Sequence, residues 1–282
     1  VIEREFEALL ELAIEEDLGA EGDISSKSVF KDETAEAVLI AKADGVICGR
    51  SFFERVHARI DHATEVSFDV DDGDRVSEGE CVASVKGKVL SLLTAERISL
   101  NFLCFLSGIA TATRECVDEA ARTGKAIILD TRKTLPGYRE LSKYAVRVGG
   151  GSNHRMGLYD MIMLKDNHID ACGSIKAAVE RVRAAYGRKY RIEVECRTLE
   201  DVRQAVETGV DVIMLDNMDN VSMATATKVP REGVKFEASG NMRVDRIASV
   251  SATGVDFISI GAITHSAKAL DFSLKIRGGS RQ

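Results

Sequence analysis

Four short runs decide the fold: Arg191-Ile-Glu-Val-Glu195, Val212-Ile-Met-Leu-Asp216, Lys235-Phe-Glu-Ala-Ser239 and Phe257-Ile-Ser-Ile-Gly261. Each is a brief apolar stretch ending in a polar or small residue. From Glu195 onward the ends fall 21, 23 and 22 residues apart, at 216, 239 and 261. That spacing accommodates one strand, one helix and two short loops, so the text is a βα repeat. Two earlier runs, Ala126 to Asp130 and Met161 to Lys165, extend it toward the N-terminus. Because alternate side chains of a strand face opposite sides, each run splits into two sets. Ile162/Leu164, Ile192/Val194, Ile213/Leu215, Phe236/Ala238 and Ile258/Ile260 are all apolar or small and should face helices. Met161/Met163/Lys165, Glu193/Glu195, Val212/Met214/Asp216, Lys235/Glu237/Ser239 and Phe257/Ser259/Gly261 are mixed, and polar or small at every C-terminal end. An open doubly wound sheet would favour apolar residues on both faces, so a parallel barrel explains the asymmetry better. Lys165, Glu195, Asp216 and Ser239 would then ring one barrel mouth, the end at which such barrels carry their sites. The deeper Glu193, Glu237 and Lys235 need partners, and a carboxylate–lysine pair inside the barrel is the expected one.

Upstream the pattern changes. Ala37 to Lys42, Thr64 to Val70, Asp72 to Val76 and Gly79 to Gly87 read as strands and turns, with no EF-hand spacing around Asp71-Asp72-Gly73-Asp74. A helical stripe from about Leu92 to Arg122 then leads toward the barrel. The expected organisation is α/β: a parallel α/β barrel, TIM-like and complete or incomplete, over 109–267, with a smaller N-terminal α+β sandwich domain and linking helix over 1–108. A C-terminal segment, 268–282, is free to pack back on the N-terminal domain.

Composition narrows the function. An apolar fraction of 45% excludes a disordered chain, and a net charge of −7 argues against broad nucleic-acid or anionic-membrane binding. The longest charge-free stretch, Ile98 to Thr113, is shorter than the ~20 apolar residues of a bilayer span. The acidic amphipathic start, Val1 to Glu16, lacks the pattern of a secretory signal, so a cytoplasmic location is expected. Cys48, Cys81, Cys104, Cys116, Cys172 and Cys196 show no C-x-x-C spacing and read as reduced core thiols. His57, His62 and His168, isolated from one another, read as surface or supporting residues.

Against this acidic background, cationic groups gather where the barrel strands end. Arg132 and Lys133 leave the first run in Asp130-Thr-Arg-Lys-Thr-Leu-Pro-Gly137, and Gly149-Gly-Gly-Ser-Asn-His-Arg155 brings His154 and Arg155 behind three glycines. With Lys165 they imply a dianionic substrate, for which planar arginine forks suit carboxylates or phosphates. Neither G-x-G-x-x-G nor a P-loop is present, so Rossmann and P-loop nucleotide sites are not supported. Gly240-Asn241 after Ser239, and Gly261-Ala-Ile-Thr-His265, place small residues at the ends of the last strands, the usual barrel phosphate site. Glu195 and Asp216 would sit beside that anion, which calls for Mg²⁺ or sugar hydroxyls between them. Alternatives remain open at this point: Lys165 could form a Schiff base as in barrel aldolases, or the chain could be a non-catalytic metabolite-binding protein.

At these residues the sequence resembles the quinolinate phosphoribosyltransferase family, the decarboxylating nicotinate-nucleotide pyrophosphorylases. The resemblance rests on Asp130 to Gly137, Tyr144 to Leu158, Leu164-Lys-Asp-Asn-His-Ile169, Glu193-Val-Glu195, Ile213 to Asn217, Glu237-Ala-Ser-Gly240 and Ile260 to Ser266. Upstream, Glu15 to Gly19, Gly22 to Ser25 and Thr94 to Asn101 also match. It implies an enzyme that joins quinolinate to phosphoribosyl pyrophosphate, with decarboxylation, to give nicotinate mononucleotide, CO₂ and pyrophosphate for NAD synthesis. It implies that Thr131, Arg132, His154, Arg155 and Lys165 hold quinolinate, and that Lys133 helps bind the pyrophosphate end. Ser239, Gly240, Asn241, Gly261 and His265 would hold the 5′-phosphate. Lys133, Lys165, Glu195 and Asp216 would be the catalytic set, Glu195 and Asp216 meeting Mg²⁺ directly or through water and substrate. It further implies no organic cofactor and a homodimer, or a higher oligomer, in which Arg97 completes the partner's site. A nicotinate-specific relative without decarboxylation is the nearest rival. The chain departs from the family at Asn241, where a second glycine is common; asparagine tolerates positive φ better than most residues. Cys196, after Glu195, points toward the helices and reads as packing.

Overall fold

The computed structural model of the protein describes residues 2–230 and 232–277; the end of the expected C-terminal segment, 278–282, lies outside the described residues. Along the chain come α1 (Ile2–Leu18), α2 (Ile24–Val29), β1 (Thr34–Ala41), β2 (Gly45–Val46), α3 (Arg50–Ile60), β3 (Glu65–Phe68), β4 (Arg75–Val76), β5 (Cys81–Lys88) and α4 (Val89–Ala121). There follow β6 (Ile127–Leu129), α5 (Arg139–Val148), β7 (Ile162–Leu164), α6 (Asp166–Cys172), α7 (Ile175–Tyr186), β8 (Ile192–Cys196), α8 (Leu199–Glu207) and β9 (Val212–Asp216). The last elements are α9 (Asn220–Ala226), β10 (Lys235–Ser239), α10 (Val244–Ser251), β11 (Phe257–Ser259), α11 (Ala262–His265) and β12 (Phe272–Ile276).

Two compact units result. Among the described residues the first comprises 2–114, 135–150 and 267–277, and the second 115–134, 151–230 and 232–266. In the first, a four-stranded antiparallel sheet runs in the order β12-β1-β5-β3, beside the short pair β2-β4. Leu39, Val85, Leu274 and Phe272 from the sheet pack with Phe53 of α3 and Leu92, Leu100 and Leu103 of α4 in one buried cluster. The strand reading upstream omits α3, whose apolar residues Phe52, Phe53 and Val56 are spaced for a helix between two strand runs. Helix α4 is long and apolar enough to cross a membrane by length and composition alone. Its Leu92, Ala95, Leu103 and Leu106 are buried in the fold, as in a core helix of a globular protein. His57 departs from its expected place near the surface: it is buried beside the Phe53 ring, centroids 4.7 Å apart.

The second unit is the barrel. Its six parallel strands run in the order β6-β11-β10-β9-β8-β7, and an isolated parallel bridge from Leu129 to Ser152 adds backbone beside β6. The wall is therefore an incomplete parallel barrel. Strand-to-helix turns after β8 and β9 are fixed by caps: Thr198 accepts from the Asp201 N–H, and Asp219 from that of Ser222. Each cap ends its loop within a few residues of the strand, which keeps the C-terminal strand ends at one mouth. At the opposite end, Asp211 accepts from the Ile192 N–H and Asp256 from the Phe236 N–H. Asp256 also takes the Lys235 ammonium, at 2.8 Å. Lys235 is thus held at the exposed strand start, and the expected carboxylate–lysine pair inside the barrel does not form.

Candidate active site

At the mouth of the barrel lies a cavity of about 410 Å³. Its walls take Met163, Lys165, Glu195, Met214, Asp216, Glu237, Ser239, Ser259 and Gly261 from β7 to β11 and the residues just after them. Every one belongs to the strand set read as inward-facing, and none to the other. Register accounts for the grouping: Glu195 pairs with Met214, and Asp216 with Ser239, so neighbouring strands end level with one another. Loops supply Thr131, Arg132, Lys133, His154, Arg155, Asn217, Gly240, Asn241 and Met242.

Of the residues singled out from sequence, Thr131, Arg132, Lys133, His154, Arg155, Lys165, Glu195, Asp216, Ser239, Gly240, Asn241 and Gly261 line this one cavity. His265 is exposed and borders it, its ring lying against Gly261. Arg97 does not line it; it is an exposed residue of α4 in the first unit. Met163, Met214 and Ser259 line it as their inward parity implies, although the sequence assigns them no role; Asn217 and Met242 lie in the turns after β9 and β10, where strand parity does not reach.

The cationic side is anchored from below. Asp130, fully buried, accepts from the Asn153 side chain at 2.6 Å and from the His154 N–H at 2.9 Å, which fixes the segment after the three glycines. Arg155 donates to the Met161 carbonyl at 3.2 Å. Burial, and then the charge of Arg132 nearby, make its guanidinium less basic than usual, the cost of setting two like charges around a place for an anion. Lys165 stands 3.6 Å from Glu195, and its backbone N–H donates to His168 Nδ1 at 3.0 Å, so His168 supports the mouth as expected. Lys133 is placed by its own N–H donating to Thr131 Oγ1, and by the Thr264 hydroxyl donating to its carbonyl.

The acidic side differs in kind. Burial raises the Glu195 pKa, the Lys165 charge opposes that rise, and the charges of Asp216 and Asp166 add to it. Two carboxylates that repel each other within one cavity form a natural seat for a hard divalent cation or for hydroxyl donors. Beyond Asp216 the chain turns at Asn217 and Asn241, both with positive φ, 52° and 48°. Asn241 therefore adopts the left-handed turn that glycine commonly provides. Its side chain donates to Asn217 Oδ1 at 3.1 Å. Gly240 must be glycine: its φ is 96°, and an added Cβ would lie 2.2 Å from Asn217 Oδ1. Cys196, beside Glu195, is buried in packing and its thiol is pushed well up by burial.

One layer down, Glu193 and Glu237 are fully buried with His154 between them; Nε2 is 3.0 Å from Glu193 and 3.4 Å from Glu237. The partner of the deep carboxylates is thus a histidine rather than a lysine. Burial, then the charge of Glu237, push Glu193 upward. Burial opposes a charge on His154, but its hydrogen bonds to the two glutamates outweigh this and raise its pKa to about 10. The three groups hold protons as one coupled set.

A parallel barrel whose mouth combines a cationic wall, an acidic pair and a small-residue turn defines an enzyme that handles polyanionic substrates. The comparisons make this specific. Residues 109–275 match the family model described as Quinolinate phosphoribosyl transferase, C-terminal domain, and residues 23–107 match its N-terminal domain. The chain is 41% identical over 287 residues to the Nicotiana glauca protein named quinolinate phosphoribosyltransferase [decarboxylating] 2, mitochondrial, covering 95% of this chain and 81% of that one. The crystal structure of NadC from Streptococcus pyogenes superposes with a TM-score of 0.92 at 40% identity, covering 97% of both chains. The nicotinate-nucleotide pyrophosphorylase from Francisella tularensis does so with a TM-score of 0.91 at 37% identity, covering 97% of this chain and 96% of that one. The chain belongs to the quinolinate phosphoribosyl transferase family.

Proposed function

We propose that this protein transfers the phosphoribosyl group of phosphoribosyl pyrophosphate to quinolinate with loss of CO₂, giving nicotinate mononucleotide and pyrophosphate. The observation that carries the reading is the meeting of Arg132, Arg155 and Lys165 with Glu195, Asp216 and the Ser239–Asn241 turn in one cavity. Two carboxylates of a pyridine match the cationic wall, and a 5′-phosphate matches the turn.

The reaction makes three demands. The pyridine nitrogen must be held in line with ribose C1, which Arg132, Arg155 and Lys165 do by fixing the carboxylates; such orientation is worth up to about 7–11 kcal/mol of barrier. As the C1–oxygen bond to pyrophosphate breaks, positive charge grows on C1, and Glu195 and Asp216 face it while Lys133 meets the leaving group. After the nitrogen–C1 bond forms, the C2–carboxylate bond breaks, its electron pair stays on C2 beside the cationic nitrogen, and a proton from solvent replaces CO₂. The two carboxylates of Glu195 and Asp216 in one cavity support a cation at this pair, whose oxygen donors suit Mg²⁺. Bound there, Mg²⁺ would neutralise the pyrophosphate as it departs. No organic cofactor enters this scheme.

The proposed assembly is a homodimer, or a larger oligomer, in which Arg97 reaches the partner's cavity; the exposure of Arg97 on α4 is compatible with that role. The proposed compartment is the cytoplasm, supported by six unpaired cysteines, of which Cys48, Cys116 and Cys196 are buried and the other three are not. The test of the assigned roles is alanine at Arg132, Arg155 or Lys165. Each should weaken quinolinate binding far more than phosphoribosyl pyrophosphate binding, measured by calorimetry with either ligand alone; equal loss of both refutes the assignment.

A further inference from the structure

Among the described residues, two besides glycine take a positive φ, Asn217 at 52° and Asn241 at 48°, and their side chains are bonded to each other. They stand in the turns after β9 and β10, at neighbouring strand ends whose register pairs Asp216 with Ser239. The Asn217 N–H donates to the Ser239 carbonyl at 3.0 Å, one step past that pair, and the chain then turns away. A left-handed conformation is costly for any residue but glycine, so an asparagine there calls for something its amide does.

That amide spans two parts of the cavity mouth. Its Nδ2 donates to Asp216 Oδ2 at 2.9 Å, and its Oδ1 accepts from Asn241 Nδ2 at 3.1 Å. The two bonds fix its orientation: turned over, the amide would set oxygen against the carboxylate and nitrogen against nitrogen. Gly240 lies against the same group, where an added Cβ would collide with Asn217 Oδ1 and Cγ. Asn217 and Asn241 are both exposed, and hydrogen bonds that water can replace contribute little to stability. What the bridge sets is spacing. Asp216 and the Ser239–Asn241 turn are held to one amide, with Asp216 Oδ2 engaged and Oδ1 left for the substrate.

We propose that Asn217 is a positioning residue for the sugar-phosphate end of the reaction: its amide ties the Asp216 carboxylate to the Gly240–Asn241 turn, so that a ribose hydroxyl and the 5′-phosphate are met at one fixed spacing. Asn241, where the family resemblance leads one to expect glycine, supplies the other half of this brace through its side chain. The pair acts on the ribose phosphate and not on the cationic wall of Arg132, Arg155 and Lys165. The inference rests on the proposed activity, and turnover of quinolinate by the unaltered chain checks that activity separately, because the brace is read by binding alone.

Glycine is the substitution to make at both positions, since it takes φ near 50° without strain and removes only the side chain. Asn217→Gly and Asn241→Gly, alone and combined, are compared with the parent by calorimetry, with phosphoribosyl pyrophosphate and Mg²⁺ in one titration and quinolinate in the other. Asn217→Gly should weaken phosphoribosyl pyrophosphate binding about tenfold, the order of one lost hydrogen bond to a carboxylate. Quinolinate affinity and melting temperature should stay as in the parent. Asn241→Gly should weaken phosphoribosyl pyrophosphate binding by a smaller factor, and adding it to Asn217→Gly should cost nothing more. Undiminished phosphoribosyl pyrophosphate binding in Asn217→Gly overturns the inference. An equal loss of quinolinate affinity does so too, by showing a loosened mouth rather than a brace. Losses that multiply in the double variant would show Asn241 meeting the phosphate on its own, and also overturn it. Should Asn217→Gly melt early, Asn241→Gly decides alone, and a phosphoribosyl pyrophosphate affinity equal to the parent's refutes the brace.

Discussion

Single residues carry the site's logic, and the most telling are those that look ordinary in the text. Asn241 stands where the family resemblance leads one to expect glycine, and its φ of 48° and its bond to Asn217 keep the turn. The sequence suggested as much, because asparagine is among the few residues that tolerate positive φ. His154 was legible as a member of the cationic wall but not as a ring set between two buried carboxylates, since Glu193 of β8 and Glu237 of β10, one strand layer down, are brought to it by the fold and not by the linear text. His57, expected at the surface or in a supporting place, falls four residues after Phe53 and beside Val56, so it shares the buried face of a helix that a strand reading of this stretch does not reveal. Burial depresses its pKa from 6.5 to about 4. The folded form therefore holds His57 neutral while the unfolded chain binds a proton below pH 6.5, so this contribution to stability is full above 6.5 and is lost as pH falls toward 4. A gap of that size corresponds to about 3 kcal/mol. In chemical denaturation from pH 7 to pH 4, His57→Phe should remove that much of the acid-dependent loss; an unchanged slope would contradict the buried, neutral state.

At the scale of elements, strand parity told which face of each strand meets the cavity, because a two-residue period leaves no ambiguity once a strand is located; depth along the strand then separates Met163, Glu195, Met214 and Asp216, which line it, from Met161, Glu193, Val212 and Phe257, which do not. Val212–Asp216 and Lys235–Ser239 coincide with the sequence runs residue for residue. Lys235 escaped the rule because it sits at a strand start, where Asp256 holds its ammonium at the exposed end. Long-range closeness is what the text does not carry. Gly108, midway along α4, illustrates it: an added Cβ would lie 2.3 Å from the Lys268 carbonyl and 2.9 Å from Ala269 Cα. That segment leads into β12, whose Phe272–Ile276 pairs with β1. Gly108→Val should push it away from α4, costing about 1–3 kcal/mol as an overpacked contact does. The expected outcome is a lower melting temperature together with faster proteolytic removal of the chain after Ala267. A melting temperature equal to that of the parent would show that the close approach is dispensable.

For the whole molecule, the βα spacing and the mixed inward face pointed to a barrel, and the observed six-stranded parallel wall with its Leu129–Ser152 bridge is that barrel left incomplete. The homodimer is an expectation of the family resemblance alone, since no periodicity in α4 assigns a role to Arg97. If Arg97 acts on a partner, Arg97→Ala and Lys165→Ala proteins, each inactive alone, should recover part of the parent's turnover when mixed, because hybrid dimers contain one intact site. No recovery after verified subunit exchange would show that Arg97 does not act across a subunit boundary.

The most direct measurement supplies the purified protein with phosphoribosyl pyrophosphate, Mg²⁺ and quinolinate labelled in the 2-carboxylate, and counts labelled CO₂ against nicotinate mononucleotide formed. Release in equal amounts, with no mononucleotide made when nicotinate replaces quinolinate, is the expected result. Mononucleotide from nicotinate alone, or CO₂ without mononucleotide, would contradict the reading of this barrel mouth as a dicarboxylate and sugar-phosphate site.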